Sequence, residues 1–251
     1  MNFKTWKSYF ERNRLHFNWL FLPNSHELDA EERAAVTNSL MRLNELDQTH
    51  FLSKFAVFNK DEHYLDSLNQ FIQEEQMHEK VLQRFLEKEG VSCHRKKGSS
   101  LFFRRIMRLV KMENAVIAAI NEKILLDSYF KALGKATQSI SLQNISNQIC
   151  KDIVMHMNYH AYTLEGFYQE QSKIQRKATR YFHRFLMVLA VSEFWMKHKR
   201  ILQLGGADFS SFLIDSFKTY HEVEYMVSGR RPIYAMPMHW ELSTNKQAWF
   251  V

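Results

Sequence analysis

The distribution of proline most limits what this chain can fold into. Its three prolines are Pro23, Pro232 and Pro237, so the long stretch between the first two contains none. Proline breaks a helix because it lacks a backbone N–H and clashes with the preceding turn. In the proline-free stretch, apolar residues recur at intervals of three and four, which is typical of amphipathic helices. The sequence therefore predicts an all-α fold.

Capping residues divide this stretch into predicted helices. The first four begin near Asp or Ser, which favour helix N-termini, and the second and third end at glycine, which favours C-termini. The predicted helices span residues 29–58, 61–90, 100–134, 141–171, 177–204 and 208–227. We expect a single helical domain over residues 1–251, with its core over residues 29–171 and C-terminal helices and a tail over residues 172–251.

Composition excludes several classes of protein. With 45% hydrophobic and 24% charged residues, the chain has a globular rather than a disordered composition. It has no signal-type apolar core and no run near the roughly 18 apolar residues of a membrane span. Its two cysteines, Cys93 and Cys150, form no close-spaced pair that would indicate a zinc motif. We therefore expect a cytoplasmic protein with no membrane partner.

The net charge of +7 is spread along the chain, with its densest basic stretches at residues 93–111 and 173–184. Scattered lysines and arginines are typical of solvated surfaces, and they bind nucleic acid only through salt-sensitive, non-specific contacts. We therefore do not expect nucleic acid as a partner. A functional anion site on these stretches is the alternative.

Acidic and histidine residues lie on the apolar faces of the first three predicted helices. At about 100° per residue, Asp47 lies on the apolar face of the first helix and Glu122 on that of the third. Glu75 and His78 lie on the apolar face of the second helix, with Glu74 at its edge. Each of these helices therefore uses a core position for a polar group.

The apolar face of the fourth helix carries Asp152, His156 and His160 among isoleucines such as Ile149 and Ile153. Burying one unpaired carboxylate is costly, so four such faces need a common partner. A metal ion is a partner that would satisfy all of them.

Bundles that bind two iron or manganese ions use one carboxylate from each of two helices and Glu-x-x-His from each of two others. Carboxylate oxygens with a few imidazoles suit iron or manganese better than a thiolate-binding metal. The predicted metal ligands are Asp47, Glu75, His78, Glu122, His156 and His160.

Glu74 and Asp152 are predicted instead to accept hydrogen bonds from the outer N–H groups of the ligand imidazoles, as is usual for metal-bound histidine. Taken singly, each of these residues is more typical of a surface or hydrogen-bonded side chain, and a core histidine is the alternative for His160. The prediction of a metal site depends on their coincidence on four helix faces.

Three stretches carry a resemblance to a known family. The second helix, FIQEEQMHEKVLQRFLEKEGV, contains Glu-Glu-x-x-His, and the third and fourth contain NEKILLDSYFKALGKATQSISLQNISNQICKDIVMHMNYH. With ERAAVTNSLMRLNELDQTHFL in the first helix, they are similar to a bacterial family of ferritin-like di-iron carboxylate proteins, related in motif layout to di-iron oxygenases. The resemblance covers residues 29–168. It implies a ferritin-like four-helix bundle with additional C-terminal helices, and iron in a di-iron or single-iron site, with manganese as the alternative.

The chain departs from this family at two ligand positions. The family has Asp-Glu-x-x-His in the fourth helix, whereas Ile153 stands here between Asp152 and His156, in place of the Glu. Asp47 stands where the family has Glu. Three outcomes stay open: Asp152 and His160 rebuild the site, only one metal ion binds, or the bundle has lost its chemistry.

The resemblance implies an oxidase or oxygenase that uses dioxygen, with a redox partner, on a small-molecule organic substrate. The alternative is a non-catalytic helical accessory or interaction protein with a degenerate metal site. An RNA-modifying hydroxylase is a third hypothesis that depends on analogy of fold alone. The oligomeric state is left open, with a homodimer as one option.

Overall fold

The computed structural model describes residues 2–13, 17, 26–43, 62–91, 112–169 and 171–228. Its helices are α1 (Phe3–Asn13), α2 (Ala30–Leu43), α3 (Glu62–Lys88), α4 (Met112–Lys135), α5 (Ile140–Gln169), α6 (Lys173–Leu204) and α7 (Phe209–Val227). The described residues contain no β-strand, which confirms the all-α class. Within these ranges no helix combines the length and the apolar character needed to cross a membrane. The ferritin-like arrangement of four helices and the single domain stay predictions.

The helix bounds agree with the capping pattern over most of the described chain. Helices α3, α5 and α7 begin and end within two residues of their predicted limits. Helix α6 begins at Lys173 rather than at residue 177 because Ser172 caps it: the Gln175 N–H donates to Ser172 Oγ at 3.3 Å, and the Ser172 N–H donates to the Gln175 side chain at 3.0 Å. The predicted helical segments at residues 44–58 and 100–111, and the basic stretch at residues 93–111, lie outside the described residues.

Helix α1 was not anticipated from the sequence. Its residues Phe3, Trp6 and Phe10 recur at intervals of three and four and are all buried, so the burial of this face stabilises a short helix. The helix packs against α3, with the Phe10 ring edge-on to Phe71 at a centroid distance of 5.8 Å. Its last residue, Asn13, contacts an acidic side chain of α3.

Helix α4 is the central helix of the described residues. Its most extensive contact is with α5, and it also packs against α6 and α7, while α5 packs against α3 and α7 as well. Nearly every side chain over residues 115–126 is buried, as expected of a helix that is apolar on all sides. The polar side chains of Asn121 and Lys123 are buried with them.

The corner between α6 and α7 lies close against α4. A Cβ at Gly205 would lie 2.5 Å from the Ala132 carbonyl oxygen, closer than real Cβ atoms approach a neighbour. Gly206 has a φ of +88°, in the left-handed region that favours glycine. The two glycines therefore allow the chain to turn while α6 and α7 stay in contact with the central helix.

Candidate metal centre

Charged and imidazole side chains meet where α1, α3 and α5 pack together. Glu74, Glu75 and His78 come from α3, and Asp152 and His156 come from α5. Glu74 and His156 are fully buried, while the Glu75 side chain keeps 16% of its surface exposed. One helical turn separates Glu75 from His78, and one turn separates Asp152 from His156, so each helix presents neighbouring groups to the same interface. Buried charges this close together are costly unless they are paired.

The outer nitrogens of the two imidazoles contact two carboxylates. His78 Nε2 lies 2.9 Å from Asp152 Oδ2, and His156 Nε2 lies 3.3 Å from Glu74 Oε1. The Asn13 side-chain amide donates to both carboxylates, at 2.6 Å to Glu74 Oε1 and 2.9 Å to Asp152 Oδ1. These contacts fix the orientation of both rings. Glu74, which the helical wheel puts at the edge of its face, is fully buried because α1 covers that side of α3.

The inner nitrogens of both rings approach one carboxylate oxygen. His156 Nδ1 lies 2.9 Å from Glu75 Oε1, and His78 Nδ1 lies 3.5 Å from the same oxygen. Despite the short distance, neither Glu75 Oε1 nor His156 Nδ1 has a hydrogen-bond partner with suitable angles. Two donor atoms that bind one metal ion at about 2.1 Å each are about 3 to 3.5 Å apart. This spacing and the unmatched angles fit two atoms that share a metal ion.

Lys123 joins the cluster from α4. Its Nζ pairs with Glu75 Oε2 and stands 5.7 Å from the centre of the Phe71 ring. Only 3% of the residue is exposed. Burial opposes the ammonium charge, but the nearby Glu75 and Glu122 carboxylates outweigh it and raise the pKa of Lys123. Lys123 therefore depends on carboxylates of α3 and α4 for its place in the core.

The cluster itself favours protonated imidazoles. Burial opposes a charge on His78, but its contacts with the Asp152 and Glu75 carboxylates outweigh burial and raise its pKa to about 10. Burial also opposes a charge on His156, and the negative charge of Glu75 raises its pKa. The Lys123 and His156 charges overcome the burial of Glu75 and hold its pKa well below the usual range. A metal ion would therefore have to displace protons from the imidazoles.

The remaining predicted ligands have different surroundings. Glu122 is half-buried and lies close enough to Lys123 to raise its pKa. His160 is buried beside Phe71, with ring centres 4.9 Å apart. Burial and the nearby Lys123 and His156 charges lower the pKa of His160 to about 3, so its ring is neutral. Asp47 lies outside the described residues.

Two members of the cluster, Asn13 and Lys123, were not predicted from the sequence. Asn13 was missed because α1 was not anticipated, although Phe3, Trp6, Phe10 and Asn13 follow one helical face. Lys123 was missed because the prediction considered only the face of α4 that carries Glu122. A segment that is apolar on all sides indicates a fully buried helix, and this pattern would have identified a buried lysine.

Glu74, His78 and Asp152 form a buried group that could hold a metal ion. One nitrogen or oxygen atom from each of these residues lies within 4.8 Å of the others. The described part of the chain therefore contains a group with metal-binding chemistry, and the identity of the metal stays a prediction.

Comparison of this chain with protein families, curated proteins and solved structures gave no match.

Proposed function

We propose that this chain is a metal-binding helical protein that oxidises a small organic substrate with dioxygen, and that Glu75, His78 and His156 hold the metal ion. The observation that carries this proposal is the approach of two inner imidazole nitrogens to one carboxylate oxygen, at 2.9 and 3.5 Å. Two histidines and one carboxylate are the ligand set of non-haem iron(II) oxygenases, which leaves coordination positions open. Iron is therefore the expected metal, with manganese as the alternative.

The inner side of the two rings fits a metal ion better than the outer side. On the outer side, Glu74 Oε1 and the Asp152 carboxylate already accept from the Asn13 amide and contact the imidazoles, while Glu74 Oε2 is buried without a hydrogen bond. On the inner side, Glu75 Oε1 is also buried without a hydrogen bond, and it alone is approached by two imidazole nitrogens, His78 Nδ1 and His156 Nδ1. Unsatisfied buried polar atoms are uncommon in folded proteins, so an oxygen without a hydrogen bond that faces two imidazole nitrogens supports a cation position between them.

The surrounding residues have separate tasks in this proposal. Glu74 and Asp152 orient the imidazoles and hold their outer protons, which directs the inner nitrogens to the metal. The aromatic rings of Phe10, Phe17 and Phe71 stand 4.8 to 5.9 Å from the imidazole centres and exclude water from the centre. Bound iron would supply the open positions at which dioxygen is reduced.

We also propose that the helices that carry these residues form a ferritin-like bundle, on the resemblance of residues 29–168. A cytoplasmic location and a separate electron donor follow from the same proposal. The buried Ile153, 1% exposed, occupies the position at which the resembled family has a ligand Glu. The chemistry must therefore be supported by fewer carboxylates than in that family.

Metal analysis tests this proposal directly. Protein purified from cells supplemented with iron and manganese should contain one of these metals, and the Glu75→Ala/His78→Ala double variant should contain only background levels, because it loses two of three ligands. The matched control is Glu62→Ala/His63→Ala, which removes an exposed pair of the same residue types from α3 and should retain the metal. Full occupancy in the Glu75→Ala/His78→Ala protein would contradict the ligand assignment.

A non-catalytic accessory protein is the second candidate function. The observation that favours it is the ion pair between Lys123 and Glu75, which balances a buried carboxylate without a metal ion. Anaerobic reconstitution with ferrous iron separates the two candidates. A folded wild-type protein that binds no iron or manganese and consumes no dioxygen with added reductant would favour the accessory protein.

A further inference from the structure

We infer that the Lys123 ammonium group fills the position of a second cation beside Glu75, so that this centre holds one metal ion rather than two. This inference rests on the proposed function for the metal ion that it retains. It adds a residue that decides how many metal ions the centre can hold.

The two oxygens of Glu75 face different partners. Oε1 faces the inner nitrogens of His78 and His156, while Oε2 pairs with Lys123 Nζ. In two-metal centres a pair of cations lies about 3.5–4 Å apart, and helical bundles of this kind surround them with carboxylates. Here one oxygen of the carboxylate is aimed at a metal position and the other is occupied by an ammonium ion.

The burial of Lys123 keeps its ammonium charge beside Glu75. The residue comes from a segment of α4 that is buried on nearly all sides, and it is 3% exposed. An ammonium group in such surroundings persists only with carboxylate partners, and Glu75 and Glu122 supply the negative potential around it. A divalent ion near Glu75 Oε2 would be repelled by this fixed positive charge.

The sequence of α5 agrees with the loss of one metal position. Two-metal bundles use Glu-x-x-His on each of two helices, and α3 supplies this pair as Glu75 and His78. On α5 the residue three positions before His156 is Ile153, which is buried and has no donor atom. Helix α5 thus lacks a ligand at this position, while α4 places a positive charge beside Glu75.

The experiment compares wild type with Lys123→Glu and Lys123→Arg. Metal-free proteins are dialysed against excess manganese(II), the bound manganese is counted, and thermal unfolding is recorded with and without the metal. We expect one manganese per chain for wild type and for Lys123→Arg, which retains the charge. Lys123→Glu replaces the ammonium with a carboxylate, so it should bind two and should gain a larger increase in Tm from manganese than wild type does.

Two results would overturn the inference: two manganese ions bound to wild type, or no more manganese bound to Lys123→Glu than to Lys123→Arg. If wild type binds none and Lys123→Glu binds one, the proposed metal function of the native chain fails while the role of Lys123 stands. If neither protein binds manganese, both proposals fail.

If the Lys123→Glu protein does not fold, a measurement on wild type alone still tests the inference. Electron paramagnetic resonance of wild type in excess manganese should give the signal of an isolated ion. A spectrum from two exchange-coupled manganese ions would show that Lys123 does not exclude the second ion. Lys123→Met removes the ammonium group without adding a new charge. We expect it to bind more manganese than wild type. Equal binding by the two proteins would count against the inference.

Discussion

The side-chain amide of Asn13 holds together two carboxylates that would otherwise repel each other. It donates to Glu74 and to Asp152 across distances of 2.6 and 2.9 Å, and each carboxylate in turn contacts an imidazole. A neutral amide suits this position because it offers two N–H groups and adds no charge. One residue of α1 thereby controls the orientation of rings that belong to α3 and α5.

Asn13→Ala should weaken both folding and metal binding. Each hydrogen bond to a charged group contributes about 1.5–3 kcal/mol, so loss of the two should lower the free energy of unfolding by about 3–6 kcal/mol. Loss of the groups that orient ligand imidazoles typically weakens metal binding about 10- to 100-fold. Urea unfolding and manganese titration measure the two effects. The exposed Asn144→Ala on α5 is the control, and an equal response of the two variants would contradict the role of Asn13.

At the scale of elements, the α6–α7 corner and the C-terminal part of α5 use glycine for different reasons. A side chain at Gly205 would meet the backbone and side chain of Ala132 on α4, with three atoms within 2.6 Å. At Gly166, within α5, a Cβ would meet nothing within 4 Å. Only the first glycine is needed for helix packing.

Gly205→Ala and Gly166→Ala should therefore change stability in opposite directions. Overpacking typically costs about 1–3 kcal/mol, and Gly205→Ala should lower the free energy of unfolding by at least this amount because backbone atoms cannot move aside easily. Gly166→Ala should raise it by about 0.5–1 kcal/mol, since alanine loses less backbone entropy in a helix. Urea unfolding of both proteins gives the comparison. A stable Gly205→Ala protein would mean that α4 does not pack as closely against this corner.

The sequence could predict which residues of a helix face inward, but not which residues of another helix they meet. Asp152 and His156 on α5 follow an apolar stripe, and both are buried. The partnership of Lys123 with Glu75 joins residues 48 positions apart on different helices, and no helical wheel contains this information. It arises from the angle and register at which α4 and α3 approach, which depend on packing over the whole core.

At the scale of the whole molecule, the buried His198 connects α6 to α2 outside the metal centre. Ser39 on α2 bonds to His198 Nδ1 on α6 at 2.9 Å and accepts from the Tyr129 hydroxyl of α4 at 2.9 Å. Either the Ser39 hydroxyl or an Nδ1–H of His198 can donate in this bond. Its Nε2 is buried without a partner. Burial, with help from the Lys197 and Arg42 charges, lowers the pKa of His198 to about 3.

This histidine should make the fold sensitive to acid. The folded pKa of about 3 lies below the value of about 6.5 for an unfolded chain, so the unfolded chain takes up the proton first as the pH falls. The free energy of unfolding should be unaffected above about pH 6.5 and should then decrease by up to about 1.4 kcal/mol per pH unit. His198→Gln should reduce this slope between pH 6.5 and 5, measured by urea unfolding at each pH. An unchanged slope would mean that His198 is protonated in the folded protein.

Three carboxyl groups of the metal centre face three basic side chains, namely Glu74, Glu75 and Asp152 against His78, Lys123 and His156. A newly synthesised chain with this arrangement needs no metal ion to neutralise its core. We therefore expect the chain to fold on release from the ribosome without a metal ion and, under the proposed function, to bind its metal afterwards. Proteases that clear unfolded chains would spare it in a metal-starved cell. Under the proposed function, metal supply would then govern the metal occupancy of the protein and leave its abundance unchanged.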